Sequence, residues 1–176
     1  LDCLRAMGVK AESVNNNLCP PLSISGGRIP GGRVKMAGGK SSQFLTSVLL
    51  SAPYFESDTT IEIVGDLTSK SYVDITLDIM RTFGVHVENA GYSTFHVKAG
   101  QRYCGQVYPI EGDASSASYF FAASAVAGGE VSVTHLNPRS VQGDLQFVGV
   151  LEKMGCRAVK SADKIIAAPT TKVSRL

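Results

Sequence analysis

Two adjacent hydroxyls and an amide stand in Lys40-Ser41-Ser42-Gln43-Phe44, where a glycine-rich strand end turns into an apolar helix. The unpaired N–H groups of a helix start favour anions, and Ser41, Ser42 and Gln43 add neutral donors, so the chemistry this stretch suits is holding an oxyanion. The competing reading is capping alone, since serine is a preferred N-cap. The pattern returns about 74 positions later in Gly112-Asp113-Ala114-Ser115-Ser116, again ahead of a small-residue helix. Asp113 reads there as an N-cap or Asx-turn residue, not as an acid or base, and Asp144 after Gln142-Gly143 likewise opens a helix. His86, His96 and His135 fall in predicted strands without a partner nearby in sequence, which makes them packing or surface residues. Lys40 reads as a solvated lysine at a strand end.

The elements that must position these groups follow a period. Gly8, Gly84 and Gly155 each follow the end of an amphipathic helix and lie roughly 76 and 71 residues apart, close to the Ser-Ser spacing. Two landmarks with one period predict repeated α/β modules. The first reads as strand 33–36, helix Ser42 to Ser51 with Phe44, Leu45, Val48 and Leu49 on one face, and strand 60–64. A helix from Tyr72 to Phe83 with Ile75, Ile79 and Phe83 aligned follows, then strands 85–88 and 94–98 around Asn89-Ala90-Gly91. The second module repeats the order β-α-β-α-β-β: strand 106–110, helix Ser115 to Ala127, strand 131–135, helix Gln142 to Met154, and two strands around Ala158 and Ile165-Ile166. Leu1 opens inside a helix with no first turn and no initiator Met, which predicts an internal piece of a longer protein.

Composition narrows the partners. With 44% hydrophobic and 18% charged residues the chain can bury a core, and a formal charge of +2 without a basic, aromatic-interleaved run argues against nucleic acid. Cys3, Cys19, Cys104 and Cys156 show neither C-x-x-C spacing nor a nearby His, which fits free thiols and no metal. No apolar run reaches the roughly 18 residues of a membrane span, so a cytoplasmic location without a membrane partner is expected.

Five blocks in register carry a family resemblance over nearly the whole chain. Gly38 to Leu45, Leu67 to Thr76, Glu111 to Phe120, Gln142 to Leu145 and Val150 to Gly155 together closely resemble the 5-enolpyruvylshikimate-3-phosphate synthase family. The resemblance implies an inside-out α/β barrel of β-α-β-α-β-β units spanning two domains. Residues 1–111 would belong to the N-terminal, shikimate-phosphate-binding domain and 112–176 to the start of the C-terminal one. It implies transfer of the enolpyruvyl group of phosphoenolpyruvate to the 5-hydroxyl of shikimate 3-phosphate with release of phosphate, in chorismate and aromatic amino acid biosynthesis. No metal or organic cofactor is implied, and the full-length protein would be a monomer whose other parts complete the site.

Position by position, Ser41 and Ser42 match serines that contact the shikimate 3-phosphate, Gln43 a glutamine touching both substrates, Ser69 a further phosphate-contacting serine, and Tyr72 a tyrosine against the same ligand. Ser71 stands where the family often has Pro, and Gly39 and Lys40 replace the small residues usual before the serines. The family's acid/base residues and most of its phosphate-clamping cations match nothing in residues 1–176, so no catalytic residue is assigned and the segment alone is expected to be inactive. Two alternatives stay open: a non-catalytic segment that only binds ligand, and a transferase of enolpyruvyl to UDP-N-acetylglucosamine, a related family that lacks the Ser-Ser-Gln block.

Overall fold

A computed structural model describes residues 1–170 and divides into two compact units, Leu1–Gln106 and Val107–Leu176. The first opens with α1 (Asp2–Ala6) and the short antiparallel pair β1 (Ala11–Ser13) and β2 (Leu22–Ile24). Next come β3 (Gly32–Ala37), α2 (Ser42–Ser51), β4 (Thr59–Val64), α3 (Lys70–Thr82), β5 (Val87–Ala90) and β6 (Thr94–Val97). Their sheet has the order β3-β4-β6-β5, with β3 and β4 parallel over six residue pairs and β6 antiparallel to both its neighbours. The second unit contains α4 (Ala114–Ala127), β7 (Val131–Thr134), α5 (Gln146–Lys153), β8 (Cys156–Lys160) and β9 (Lys164–Pro169), with sheet order β7-β9-β8. That order matches β4-β6-β5, and the strand directions agree, so the predicted repeat is visible in the topology.

The glycine landmarks have a common cause. Gly8 and Gly84 take positive φ of 81° and 88°, and each closes its helix with the same two bonds. Gly8 N–H donates to Arg5 C=O and Val9 N–H to Leu4 C=O, while Gly84 N–H donates to Arg81 C=O and Val85 N–H to Met80 C=O. This is a Schellman stop, which needs a left-handed residue that glycine supplies without a Cβ clash.

Where sequence and structure differ, backbone bonding explains it. Val85 is held in the helix stop and His86 N–H donates to Gln101 Oε1, so β5 begins only at Val87 and His86 precedes the strand. His135 lies just past β7 with φ of 57°. α3 starts two residues earlier than expected and buries Val73 and Met80, leaving Ile79 exposed; on α2 the buried face is Ser42, Leu45, Val48 and Leu49, and Phe44 is exposed. Residues 106–110 form no strand: Val107 and Ile110 are 99% and 86% exposed. Pro109 has no N–H for a ladder, and here it leaves β7 an edge strand, whereas β3 covers the matching side of β4. The predicted helix from Gln142 is a 3-10 turn, Gly143–Leu145, running into α5, because Gln142 is extended with its side chain committed elsewhere.

Each unit has its own core. Leu45, Leu49, Ile61, Val73, Met80, Phe95 and Val97 are sealed between helices and sheet in the first, and Phe121, Leu136, Val148 and Ile165 in the second.

Candidate anion-binding site

Register places the site. Ala37 at the end of β3 sits opposite Val64 at the end of β4, so the loops leading into α2 and α3 leave from the C-terminal ends of two adjacent parallel strands. Ligands of α/β sheets gather outside such strand ends, and here two helix N-termini, each with unpaired N–H groups and partial positive charge, start from one side of the sheet.

The α2 terminus carries three of the predicted residues. Ser41 is the N-cap in extended conformation, and its Oγ accepts from Gln43 N–H at 3.2 Å, which leaves the hydroxyl proton to donate outward. The capping reading is thus observed, and it is compatible with the donor reading of this serine. Ser42 is 4% exposed, so only a ligand seated directly on the helix start can reach its hydroxyl. The Gln43 side chain is exposed.

Ser69 begins α3 in a different way. Its backbone is left-handed, φ 54° and ψ 47°, and its side chain makes no capping bond, so the hydroxyl is not consumed by the helix it precedes. Tyr72, 53% exposed, stands in the first turn, and its N–H donates to Ser69 C=O. Neither helix has an acidic residue in its first turn. Lys70 instead opens α3, its ammonium 5.2 Å from the centre of the Tyr92 ring, whose hydroxyl donates to Asp74 at 2.8 Å. That hydrogen bond, more than burial, raises the Tyr92 phenol above its ordinary value.

The two loops meet at one residue. Gly38 N–H donates to Val64 C=O at 3.0 Å, and Gly38 C=O accepts both Thr68 N–H at 3.1 Å and Thr68 Oγ1–H at 3.2 Å. A Cβ at position 38 would lie 2.7 Å from both Asp66 C=O and the Ile63 Cγ2, so only glycine allows this approach. Thr68 was not among the residues singled out by sequence, because a threonine ahead of a helix signals nothing beyond a turn.

The echo in the second unit is built from other chemistry. Asp113 caps α4, accepting from Ser115 N–H and Ser116 N–H, and the Ser116 hydroxyl donates to it at 2.6 Å. The Ser115 hydroxyl donates to Asp144 at 2.8 Å. These bonds, the Ser116 hydroxyl first, hold the Asp113 carboxyl below its usual range. A bound carboxylate thus occupies this helix start, and both serine hydroxyls are spent on carboxylates. Gln142 fixes the turn from the far side: its Oε1 accepts Ala114 N–H at 2.8 Å, and its Nε2 donates to Gly112 C=O at 2.9 Å.

Among the described residues no group of three or more His, Cys, Asp or Glu side chains converges as metal ligands would, and no helix is long and apolar enough to cross a membrane.

Against known proteins, the family profile for EPSP synthase (3-phosphoshikimate 1-carboxyvinyltransferase) matches residues 1–175. A 3-phosphoshikimate 1-carboxyvinyltransferase of Aliivibrio fischeri is 52% identical over 165 residues, covering 93% of this chain and 39% of the relative. That of Pseudoalteromonas atlantica is 47% identical over 176 residues, covering 98% of this chain and 41% of the relative. The chain therefore spans about two fifths of the length of the relatives it matches. The structure of an EPSP synthase from Acinetobacter baumannii superposes with a TM-score of 0.69 at 22% identity, covering 96% of this chain and 38% of that one, a likeness of fold.

Proposed function

The chain belongs to the EPSP synthase family, and from that premise we propose that it supplies the shikimate-3-phosphate floor of an enzyme that transfers the enolpyruvyl group of phosphoenolpyruvate to the 5-hydroxyl of that substrate and releases phosphate. The supporting observation is the pair of helix N-termini at the ends of β3 and β4, free of acidic residues in their first turns and lined by Ser41, Ser42 and Ser69. Neutral donors in fixed positions hold a dianion without the ordering cost of a long cationic side chain. Ser41, Ser42 and Ser69 donate to the 3-phosphate, and Tyr72 lies against the same substrate. Gln43, at the exposed side of the α2 start, reaches toward both substrates. These groups bind and orient; none moves a proton, and the acid/base chemistry comes from outside residues 1–176. The enzyme works in the cytoplasm as a monomer without a cofactor, and its two domains divide between Glu111 and Gly112.

The test is steady-state kinetics in the full-length polypeptide that carries this sequence. Phosphate release that depends on both shikimate 3-phosphate and phosphoenolpyruvate is expected, with none from residues 1–176 alone. Activity with UDP-N-acetylglucosamine in place of shikimate 3-phosphate would overturn the assignment. The Ser41-Ser42-Gln43 block favours shikimate 3-phosphate over that nucleotide sugar, because the related family that acts on the nucleotide sugar lacks it.

A further inference from the structure

We infer that Thr68 is a positioning residue: its hydroxyl, closed onto Gly38 C=O, sets the spacing between the Ser41-Ser42-Gln43 turn and the Ser69 turn, so that one phosphate can be met from both. This deepens the functional reading above and rests on it.

Three observations converge on Gly38. The loop after β3 and the loop after β4 touch there so closely that a Cβ would strike Asp66 C=O and the Ile63 side chain. The carbonyl of Gly38 takes two donors from Thr68, the backbone N–H and the hydroxyl. Thr68 also directly precedes Ser69, whose left-handed backbone aims its unspent hydroxyl, so a shift of Thr68 moves Ser69 with it. The second unit repeats the device with another side chain. Gly112 sits where Gly38 does, its N–H bonded to His135 C=O as Gly38 N–H is to Val64 C=O, and its carbonyl receives the Gln142 amide from the loop ahead of α5. In both units a side chain from the second loop is tied to the glycine carbonyl of the first. Thr68 is exposed and is not part of the buried core, and its hydroxyl is bonded to Gly38 C=O. Small displacements matter because a charge-assisted bond weakens steeply once distance and angle leave their narrow range.

Thr68→Val keeps the shape and removes the donor; Thr68→Ser keeps the donor. In the full-length polypeptide, Thr68→Val is expected to raise KM for shikimate 3-phosphate roughly three- to tenfold with kcat within about twofold, and Thr68→Ser to return KM to near the starting value. Amide hydrogen exchange at Gly38 and Thr68, whose N–H groups bond across the two loops, should quicken several-fold in Thr68→Val alone. A lowered melting temperature with unchanged KM, or a serine variant no better than valine, would overturn the positioning role. If the unmutated polypeptide fails to turn over the two substrates, the functional reading falls. Exchange at Gly38 and Thr68 then judges the tie between the loops by itself: faster in Thr68→Val supports it, unchanged overturns it.

Discussion

Ser41-Ser42 and Ser115-Ser116 look alike in sequence and start equivalent helices, yet one helix start is open and the other is closed. In the first unit the cap is a neutral hydroxyl that still has a proton to give; in the second it is the Asp113 carboxylate, with Asp144 behind it, and both serines donate inward. A helix N-terminus is a site only while its charge is unmet. The repeat kept the scaffold and replaced a neutral cap by a charged one.

The most direct way to break this contrast is to write the second unit's cap into the first. Ser41→Asp should preserve folding, because aspartate caps as well as serine, while placing a carboxylate against a dianion. A loss on the order of a hundredfold or more in shikimate-3-phosphate affinity is expected by calorimetric titration of the full-length polypeptide. Removing single donors should cost less. Ser41→Ala or Ser69→Ala should raise KM for that substrate about ten- to a hundredfold, since hydrogen bonds to charged groups contribute roughly 1.5–3 kcal/mol; Ser115→Ala should leave it unchanged.

Gln43→Ala sharpens the difference between binding and turnover. It should weaken phosphoenolpyruvate as well and lower kcat several-fold, a split that steady-state kinetics with each substrate varied in turn would expose. In the closed unit the effect is stability alone: Asp113→Ala should lower unfolding free energy by about 1 kcal/mol in a denaturant titration, with substrate KM unaltered. The smallest effect is on pH. Because the folded Asp113 carboxyl is more acidic than the unfolded one, its contribution is present at neutral pH and is lost as pH falls below the ordinary carboxylate range near 4. Its exposure keeps that contribution small through solvent screening. An Asp113→Asn variant should show a shallower acid limb in thermal melts.

Much of this was legible in the chain. Periodicity gave α2 at its observed bounds, and the Gly8 and Gly84 stops follow from the one residue that adopts their backbone without strain. Faces were harder: Phe44 and Ile79 share the helical spacing of core residues but point outward, since periodicity ranks apolar positions without knowing which element covers them. The strand expected at 106–110 failed because pairing is a property of two segments, and Pro109 withholds a donor where β3 offers one. Sequence could single out Ser41, Ser42, Gln43, Ser69 and Tyr72 as candidates but could not distinguish a hydroxyl left free from one spent on Asp113. Gln142 was visible as a motif and its purpose was not, since the carbonyl it holds lies about 30 residues away.

The left-handed backbone at Ser69 sets two kinds of selection against each other. Glycine occupies φ 54° more comfortably than serine, by roughly 1 kcal/mol, but has no hydroxyl to offer. A variant library sorted for heat resistance would therefore drift toward glycine at this position, and one sorted for growth that depends on turnover by the full-length polypeptide would return serine. The residue found here records which of those two filters has been the stricter.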